Sequence, residues 1–544
     1  MTKPVYLAAG LRTPFARVDG ELSKYDALAM SVPVLRAMQA QLGAGDHPDA
    51  VVWGSVAANL AWSNIAREVM LDAGIDPHVP ARSTVLACST SMVAAFEGAA
   101  QVQRGGADLV LVGGSESMSR VQIGLSQRLS DWIRRFGQAR SFGGRVGMLG
   151  KLPWGALGLY IPKVANRSTG LSMGEHTELM AKEWQIARSD QDAIALASHQ
   201  NAVRAQQAGF FDSLITAVDG HAKDTMPRPD TSAERLAKLK PAFDRSAAGT
   251  LTAGNSSPLT DGAAGLWVAS TEGMKRLPGE LPRVELVDFE MAAVNLREEG
   301  LLMAPAYAVP RLLARQGLSY GQIDLWEIHE AFAAQVLANL AAFDSAEFRT
   351  QKAGVSADLG QVERSRINPN GGSLALGHPF GATGARILSQ AVKELATRAT
   401  GSYAVVSICA DGGQGTVALL RNMWDARFPL RSLRLIDDFG GSDLASIAAD
   451  NTSAFNCRAV TGGTGWSVHA FGRAIDINPV ENPYVTRSQV LPDAGRAFLD
   501  RTDRRPGMIV AGDVVWNTAR FVGWGWGGDW SALKDYQHVS ASGG

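Results

Sequence analysis

The chain has 544 residues, of which 46% are hydrophobic and 19% charged, with a formal net charge of −1. That length exceeds what one hydrophobic core serves, so about two to four domains are expected. The balanced charge excludes a composition built for nucleic acid or for a membrane surface. Three cysteines, Cys88, Cys409 and Cys457, exclude a disulfide framework and fit a reducing compartment.

The opening MTKPVYLAAGLRTPF lacks the charged start and cleavage site of a secretory signal. No run approaches the ~18 apolar residues of a transmembrane segment, so a cytoplasmic protein is expected. Strand-like and helical segments then alternate, which favours an α/β layered fold. Residues 5–9 and 50–54 read as strands, and residues 27–42 and 63–73 have helical spacing. In STVLACSTSMVAAFEGAAQVQRG a short apolar strand runs into Cys88 and a small-residue helix follows. That geometry sets the sulfur at a helix N-terminus, whose partial positive charge favours thiolate.

Between Arg120 and Gly170 nine basic residues face one acid, Asp131, with Trp132, Ile133, Phe136, Phe142, Leu149, Leu152 and Trp154 interleaved. A solvated basic face is the plain reading, and a surface for the phosphates of a ligand, a membrane or a partner subunit is the functional one. Residues 171–211 read as two amphipathic helices joined near Ser189, with Ser189 and Asp192 as a variant capping box. GTLTAGNSSPLTDGAAG (249–265) suits a loop whose backbone approaches a ligand, and residues 323–342 read as strand, turn and helix with His329 at the turn. The stretch NPNGGSLALGHPFGATGAR (368–386) holds His378 in a glycine-rich, nearly uncharged loop, with a helix expected from near Gly381. YAVVSICADGGQGTVALL (403–420) reads as a buried strand with Cys409, a glycine turn and a second strand, faintly echoing LVLVGGSES.

These blocks together resemble the thiolases, enzymes that cleave or form 3-ketoacyl-CoA, over residues 1 to about 422. The resemblance implies two similar α/β halves in a five-layered αβαβα fold, residues 1–270 with a loop domain over about 120–250, and residues 271–422. It implies coenzyme A as substrate, Cys88 as the acylated nucleophile, His378 as its base and Cys409 as a second acid/base. His329 and His378 would donate to the enolate's thioester oxygen, while the N–H of Cys88 and one in the Cys409 turn would hold the tetrahedral oxyanion. Ser256 and Ser257 lie where thiolases contact the pantetheine arm. In HEAF, His329 replaces the Asn of most thiolases and resembles the β-subunits of long-chain oxidation complexes, and Asp411 stands where the family has glycine. Acyl-CoA substrates, a homo-oligomer (dimer or tetramer) and a β-oxidation partner subunit follow from the likeness. A decarboxylating ketoacyl synthase also uses one Cys and two His, but the second cysteine and the TAGNSS loop argue against it.

Beyond Leu420 the character changes, and aromatic residues crowd between Trp516 and Tyr536. His469 stands seven residues before Asp476, and Asp535 three before His538. Two His and one carboxylate, His469, Asp476 and His538, make a tripod for Zn2+ with a fourth position open for water, and Asp535 would be the base on that water. NTSAFNCR, SVHAFGRAIDINPVENPY, GWGWGGDW and DYQH resemble zinc D-alanyl-D-alanine carboxypeptidases. That likeness implies a small α+β domain over residues 423–544, with Arg458 binding a substrate carboxylate. The alternatives for this tail are peptidase activity of its own or a non-catalytic interaction module.

Overall fold

The computed structural model describes residues 3–57, 59–156, 159–160, 165–422, 428–460, 464–521 and 523–543. It divides into two compact units, Met1–Met423 and Trp424–Gly544. Lys163, one of the basic residues noted above, lies outside the described residues. Among the described residues no helix is long and apolar enough to cross a membrane.

The first unit is built on one pairing pattern used twice. Strand Ala50–Gly54 runs parallel to Leu109–Glu116, which pairs antiparallel with Thr260–Ala269, which pairs antiparallel with Tyr6–Ala8. Strand Ile323–Ile328 likewise runs parallel to Tyr403–Ala410, followed antiparallel by Gln414–Arg421 and then Arg283–Ala293. The two sets join where Tyr6–Ala8 pairs with Arg283–Ala293. The faint echo between LVLVGGSES and VVSICADGG is therefore a structural repeat.

Every residue of Leu109–Glu116 is buried, as an apolar run covered on both faces requires. Helices Thr90–Gln103 and Thr383–Leu395 lie between the halves, and Met92, Phe96, Leu388 and Val392 form a central core with Val112 and Val406. Outside one half, helices Ala27–Gln39 and Ile65–Asp72 bury Met30, Leu35 and Val69 against Trp53 and Trp267. Outside the other, helices Ala304–Arg315 and Ala333–Asp344 bury Val309, Leu312, Val336 and Leu340 against Trp326 and Val405. This is the layered αβαβα order.

Some boundaries differ from expectation. The strand before Cys88 ends at Ser83, and Cys88 sits on the one-turn helix Ala87–Ser89 ahead of Thr90–Gln103. The helix after His378 starts at Thr383 rather than Gly381, with a short turn of helix, Ser373–Leu376, preceding the histidine. Ser189 is not a cap, because helix Arg188–Gln207 starts ahead of it at N-cap Ala187. Asp192 instead pairs with Arg188 at 2.8 Å. The true capping box is Ser172 with Glu175, one helix earlier.

The second unit is small and loop-rich. Ala474–Asp476, His538–Ser540 and Gly525–Trp526 form one antiparallel sheet, and Tyr484–Val485, Val490–Leu491 and Lys534–Asp535 another. Ile509, Ala519, Trp526 and Val539 make its core, with Trp516 and Tyr536 packed against them.

The central helices of the first unit touch at backbone distance. A Cβ on Gly384 would lie 2.3 Å from the Met92 backbone nitrogen. Gly384→Ala should therefore lower stability by about 1–3 kcal/mol through overpacking, whereas Gly43→Ala, with nothing within 4 Å of the new Cβ, should be near neutral. Urea denaturation of the two variants beside wild type checks the contrast.

Candidate functional site

Cys88, His329 and His378 bring Sγ and one ring nitrogen each to within 4.8 Å of one another. Three local structures deliver them. Ala87, at a left-handed φ of 44°, turns the chain so that Cys88 follows, and Thr416 Oγ1 donates to Ser89 Oγ at 3.0 Å, tying that turn to the Cys409 hairpin. His329 ends the strand Ile323–Ile328, its N–H donating to the Ser407 carbonyl at 2.9 Å. Asn368, at φ 44°, clamps this end of the strand by accepting from Ile328 N and donating to the Ile328 carbonyl, both at 2.9 Å. His378 follows Gly377 (φ 91°), whose missing Cβ would stand 2.3 Å from Met226 Cε, and its N–H donates to Thr260 Oγ1 at 3.0 Å.

The electrostatics differ from the expectation of a helix-stabilised thiolate. Burial pushes the half-buried Cys88 thiol up to about 12, with the Asp411 carboxylate adding to the rise. The backbone N–H groups of Asp411 and Cys88 oppose it without prevailing. The helix N-terminus is present, but desolvation outweighs it. Burial also lifts the Cys409 thiol, reinforced by Cys88. His378 is driven down to about 3 by burial and by Arg386, and His329 is lowered by burial, by His378 and by Arg386. At neutral pH the site thus holds a neutral thiol beside two neutral imidazoles.

The tautomer of His378 follows from its neighbours. Thr383 Oγ1 donates to the Pro379 carbonyl at 2.9 Å, so it accepts from His378 Nδ1 at 2.6 Å. The lone pair of His378 is then on Nε2, which is buried and has no partner among the described residues. His329 Nδ1 lies 3.1 Å from Ser373 Oγ, and its Nε2 is likewise buried without a partner among the described residues. Thr383 and Ser373 are in the glycine-rich block, but nothing in their spacing signals these roles.

Ser256 and Ser257 lie beside the His329 turn: Ser256 bridges to Phe332, Ser257 N–H donates to the Ala331 carbonyl at 3.0 Å, and the buried Ser256 Oγ has no partner among the described residues. Asp411 accepts from Asn166 Nδ2 at 2.8 Å, a contact invisible in sequence across such a separation. The basic segment forms helices Gln127–Gln138 and Phe142–Leu149, with Trp132 stacked on Phe136 and Phe142, Leu149 and Trp154 exposed.

In the second unit, His469, Asp476 and His538 also place donor atoms within 4.8 Å of one another. Asp476 and His538 are cross-strand partners, and the turn Val468–Phe471 carries His469. His469 Nε2 is 3.2 Å from Asp476 Oδ2, and His538 Nδ1 is 3.0 Å from Asp476 Oδ1. His469 Nδ1 faces the Ala454 carbonyl at 2.9 Å, the outer partner that orients a metal-binding imidazole. Burial works to raise the Asp476 carboxyl, but the hydrogen bonds with the two histidines hold it low. Asp535 Oδ1 is buried without a partner among the described residues, and burial with nearby Asp476 pushes its carboxyl up. Arg458 lies beside this cluster, 2.9 Å from Asp443 Oδ2 and 3.8 Å from Asp476 Oδ2. Two imidazoles and a carboxylate, oriented and buried, fit a tetrahedral zinc ion.

Comparison with known proteins gives matching family models: thiolase, N-terminal domain over residues 5–272, thiolase, C-terminal domain over 281–422, and D-alanyl-D-alanine carboxypeptidase over 461–541. The 3-ketoacyl-CoA thiolases of Yersinia enterocolitica and Vibrio cholerae are each 38% identical over 423 residues, covering 76% of this chain and 96% of theirs. The crystal structure of Bacillus anthracis acetyl-CoA acetyltransferase is 31% identical with a TM-score of 0.63, covering 78% of this chain and 99% of its own. That of human mitochondrial 3-ketoacyl-CoA thiolase is 27% identical, also at 0.63, covering 77% and 99%.

The Asp411 contribution to the Cys88 thiol has a direct check. In a Cys457→Ser background, Asp411→Asn should shift the pH profile of Cys88 alkylation by iodoacetamide to lower pH, raising the rate at any fixed pH below the profile's midpoint. Mass spectrometry of the Cys88 peptide reads the outcome.

Proposed function

Because residues 5–422 make this chain a member of the thiolase family, we propose that its first unit is a 3-ketoacyl-CoA thiolase acting through Cys88, His378, Cys409 and His329. The observation that carries the assignment of roles is the convergence of Cys88, His329 and His378 within 4.8 Å. His378 Nε2, bare and unpartnered, takes the Cys88 proton. The sulfur then attacks the 3-keto carbon, and the tetrahedral oxyanion accepts from the N–H groups of Cys88 and Asp411. Collapse of that intermediate breaks the C2–C3 bond, leaving an acyl thioester on Cys88 and the enolate of acetyl-CoA. The enolate's thioester oxygen accepts from the histidines, and its carbon takes a proton from Cys409. Coenzyme A then loses its thiol proton to Cys409, its sulfur attacks the acyl thioester and expels the Cys88 thiolate, which regains its proton from His378, and the reverse sequence is Claisen condensation. Neutral His378 and a neutral thiol suit this order, since the proton moves as the nucleophile engages.

Ser256 and Ser257 are proposed to meet the pantetheine arm, and a homo-oligomer, a β-oxidation partner subunit and a cytoplasmic setting go with this reading. The divisions at 270 and 422 mark its halves. The second cysteine favours a thiolase over a decarboxylating synthase. Thiolysis of 3-ketoacyl-CoA substrates from short to long chain tests the whole: CoA-dependent turnover should be present in wild type and absent in Cys88→Ala. Cys409→Ser should still acylate Cys88 yet fail to turn over, and turnover of Cys409→Ser at the wild-type rate would overturn its assigned role.

For the second unit the buried tripod favours a second reading. His469, Asp476 and His538 would hold Zn2+, which supplies Lewis acidity when bound. Asp535 would accept the proton of a water, and Arg458 would orient a substrate carboxylate. D-Ala-D-Ala peptides are the proposed substrate class, and a non-catalytic interaction module is the alternative. Elemental analysis should find close to one zinc per chain in wild type and almost none in His469→Ala, while thiolysis by that variant stays unchanged.

A further inference from the structure

Ser373 and Arg386 form a short chain of contacts that ends on the Nδ1 side of His329. Arg386 is 3% exposed and donates from a terminal guanidinium nitrogen to Ser373 Oγ at 2.7 Å. A guanidinium has five N–H donors and no acceptor, so the hydroxyl oxygen must receive this bond. The one hydroxyl hydrogen of Ser373 is left over. Its other neighbour among the described residues is His329 Nδ1 at 3.1 Å. The hydrogen goes there, Nδ1 accepts, and the ring proton of neutral His329 resides on Nε2.

We infer that Arg386 and Ser373 are positioning residues that lock His329 as the Nε2–H tautomer, opposite to the Nδ1–H tautomer that Thr383 imposes on His378. The inference deepens the thiolase reading and rests on it for its catalytic meaning. Two imidazoles with ring centroids 4.2 Å apart thereby face the site with opposite chemistry. His378 offers a lone pair to take the thiol proton, and His329 offers an N–H to an oxyanion. Each is set by a hydroxyl whose own direction is fixed by a neighbour of one-way character: a carbonyl, which only accepts, for Thr383, and a guanidinium, which only donates, for Ser373. The same pair supplies something the histidine at 329 needs and an asparagine there would not, since an amide always carries donor hydrogens.

Two measurements test this. Nitrogen-15 spectra of histidine-labelled resting protein, with the His329 signal assigned by its loss in His329→Asn, should show protonated Nε2 on His329. A protonated Nδ1 there would overturn the inference, and because no substrate is present the result does not depend on whether thiolysis is the true activity. The second is a double-mutant cycle on turnover. Ser373→Ala should lower kcat by roughly 10- to 100-fold, the range for loss of a supporting hydrogen bond behind an active group, with little change in KM. In the His329→Asn background the same change should cost almost nothing, because the amide has no tautomer to set. An equal loss in both backgrounds would assign Ser373 a purely structural role and sink the inference, and Ser373→Thr should restore the single-variant loss.

Discussion

Backbone meets backbone without side chains where the two halves of the first unit close around the site. A Cβ on Gly114 would lie 2.3 Å from the Gly381 carbonyl oxygen, and one on Gly384 would lie 2.3 Å from Met92 N. The second contact presses the helix after His378 onto the helix after Cys88, and the first seats the turn ahead of it on the strand Leu109–Glu116. The distance from sulfur to imidazole is thus set by how near two main chains can come, not by how side chains happen to fill a gap. Interiors pack at crystal-like density, so such a contact has almost no slack to absorb added volume.

Around that frame the site is held neutral. Burial dominates the shifts of Cys88, Cys409, His329 and His378, it also raises the buried carboxyls Glu327 and Glu330, and these are hydrogen-bonded. Glu330 accepts from Ser198 Oγ and Asn368 Nδ2, both at 2.6 Å, and Gln390 spans from Glu327 to the Gly371 carbonyl. Polar groups buried in this way carry direction rather than charge, because each hydrogen bond they make specifies which atom holds the proton.

The layered fold was largely legible in the sequence, since it rests on local patterns: apolar runs for the strands and glycine-rich blocks for the close approaches. Cys88, His329 and His378, 290 positions apart from first to last, stand together in space, as do His469, Asp476 and His538. What could not be read is what depends on three-dimensional surroundings. The thiol shift of Cys88 comes from packing and from Asp411, and the start of the helix at Arg188 comes from Asp192 turning to an ion pair instead of a cap. The tautomers needed Thr383, Ser373 and Arg386 to be seen with their partners, and no periodicity announces a proton's address.

The pairing of Asp476 with His538 across an antiparallel ladder carries a lesson about how the second unit tolerates change. Side chains alternate between the two faces of a strand, so a one-residue slip in either partner, as an insertion would cause, would send one of the two side chains to the opposite side while leaving the other in place. The inserted residue need not touch the cluster at all to dismantle it. Chain length along 474–476 and 538–540 therefore shapes the cluster as much as the identity of its residues does.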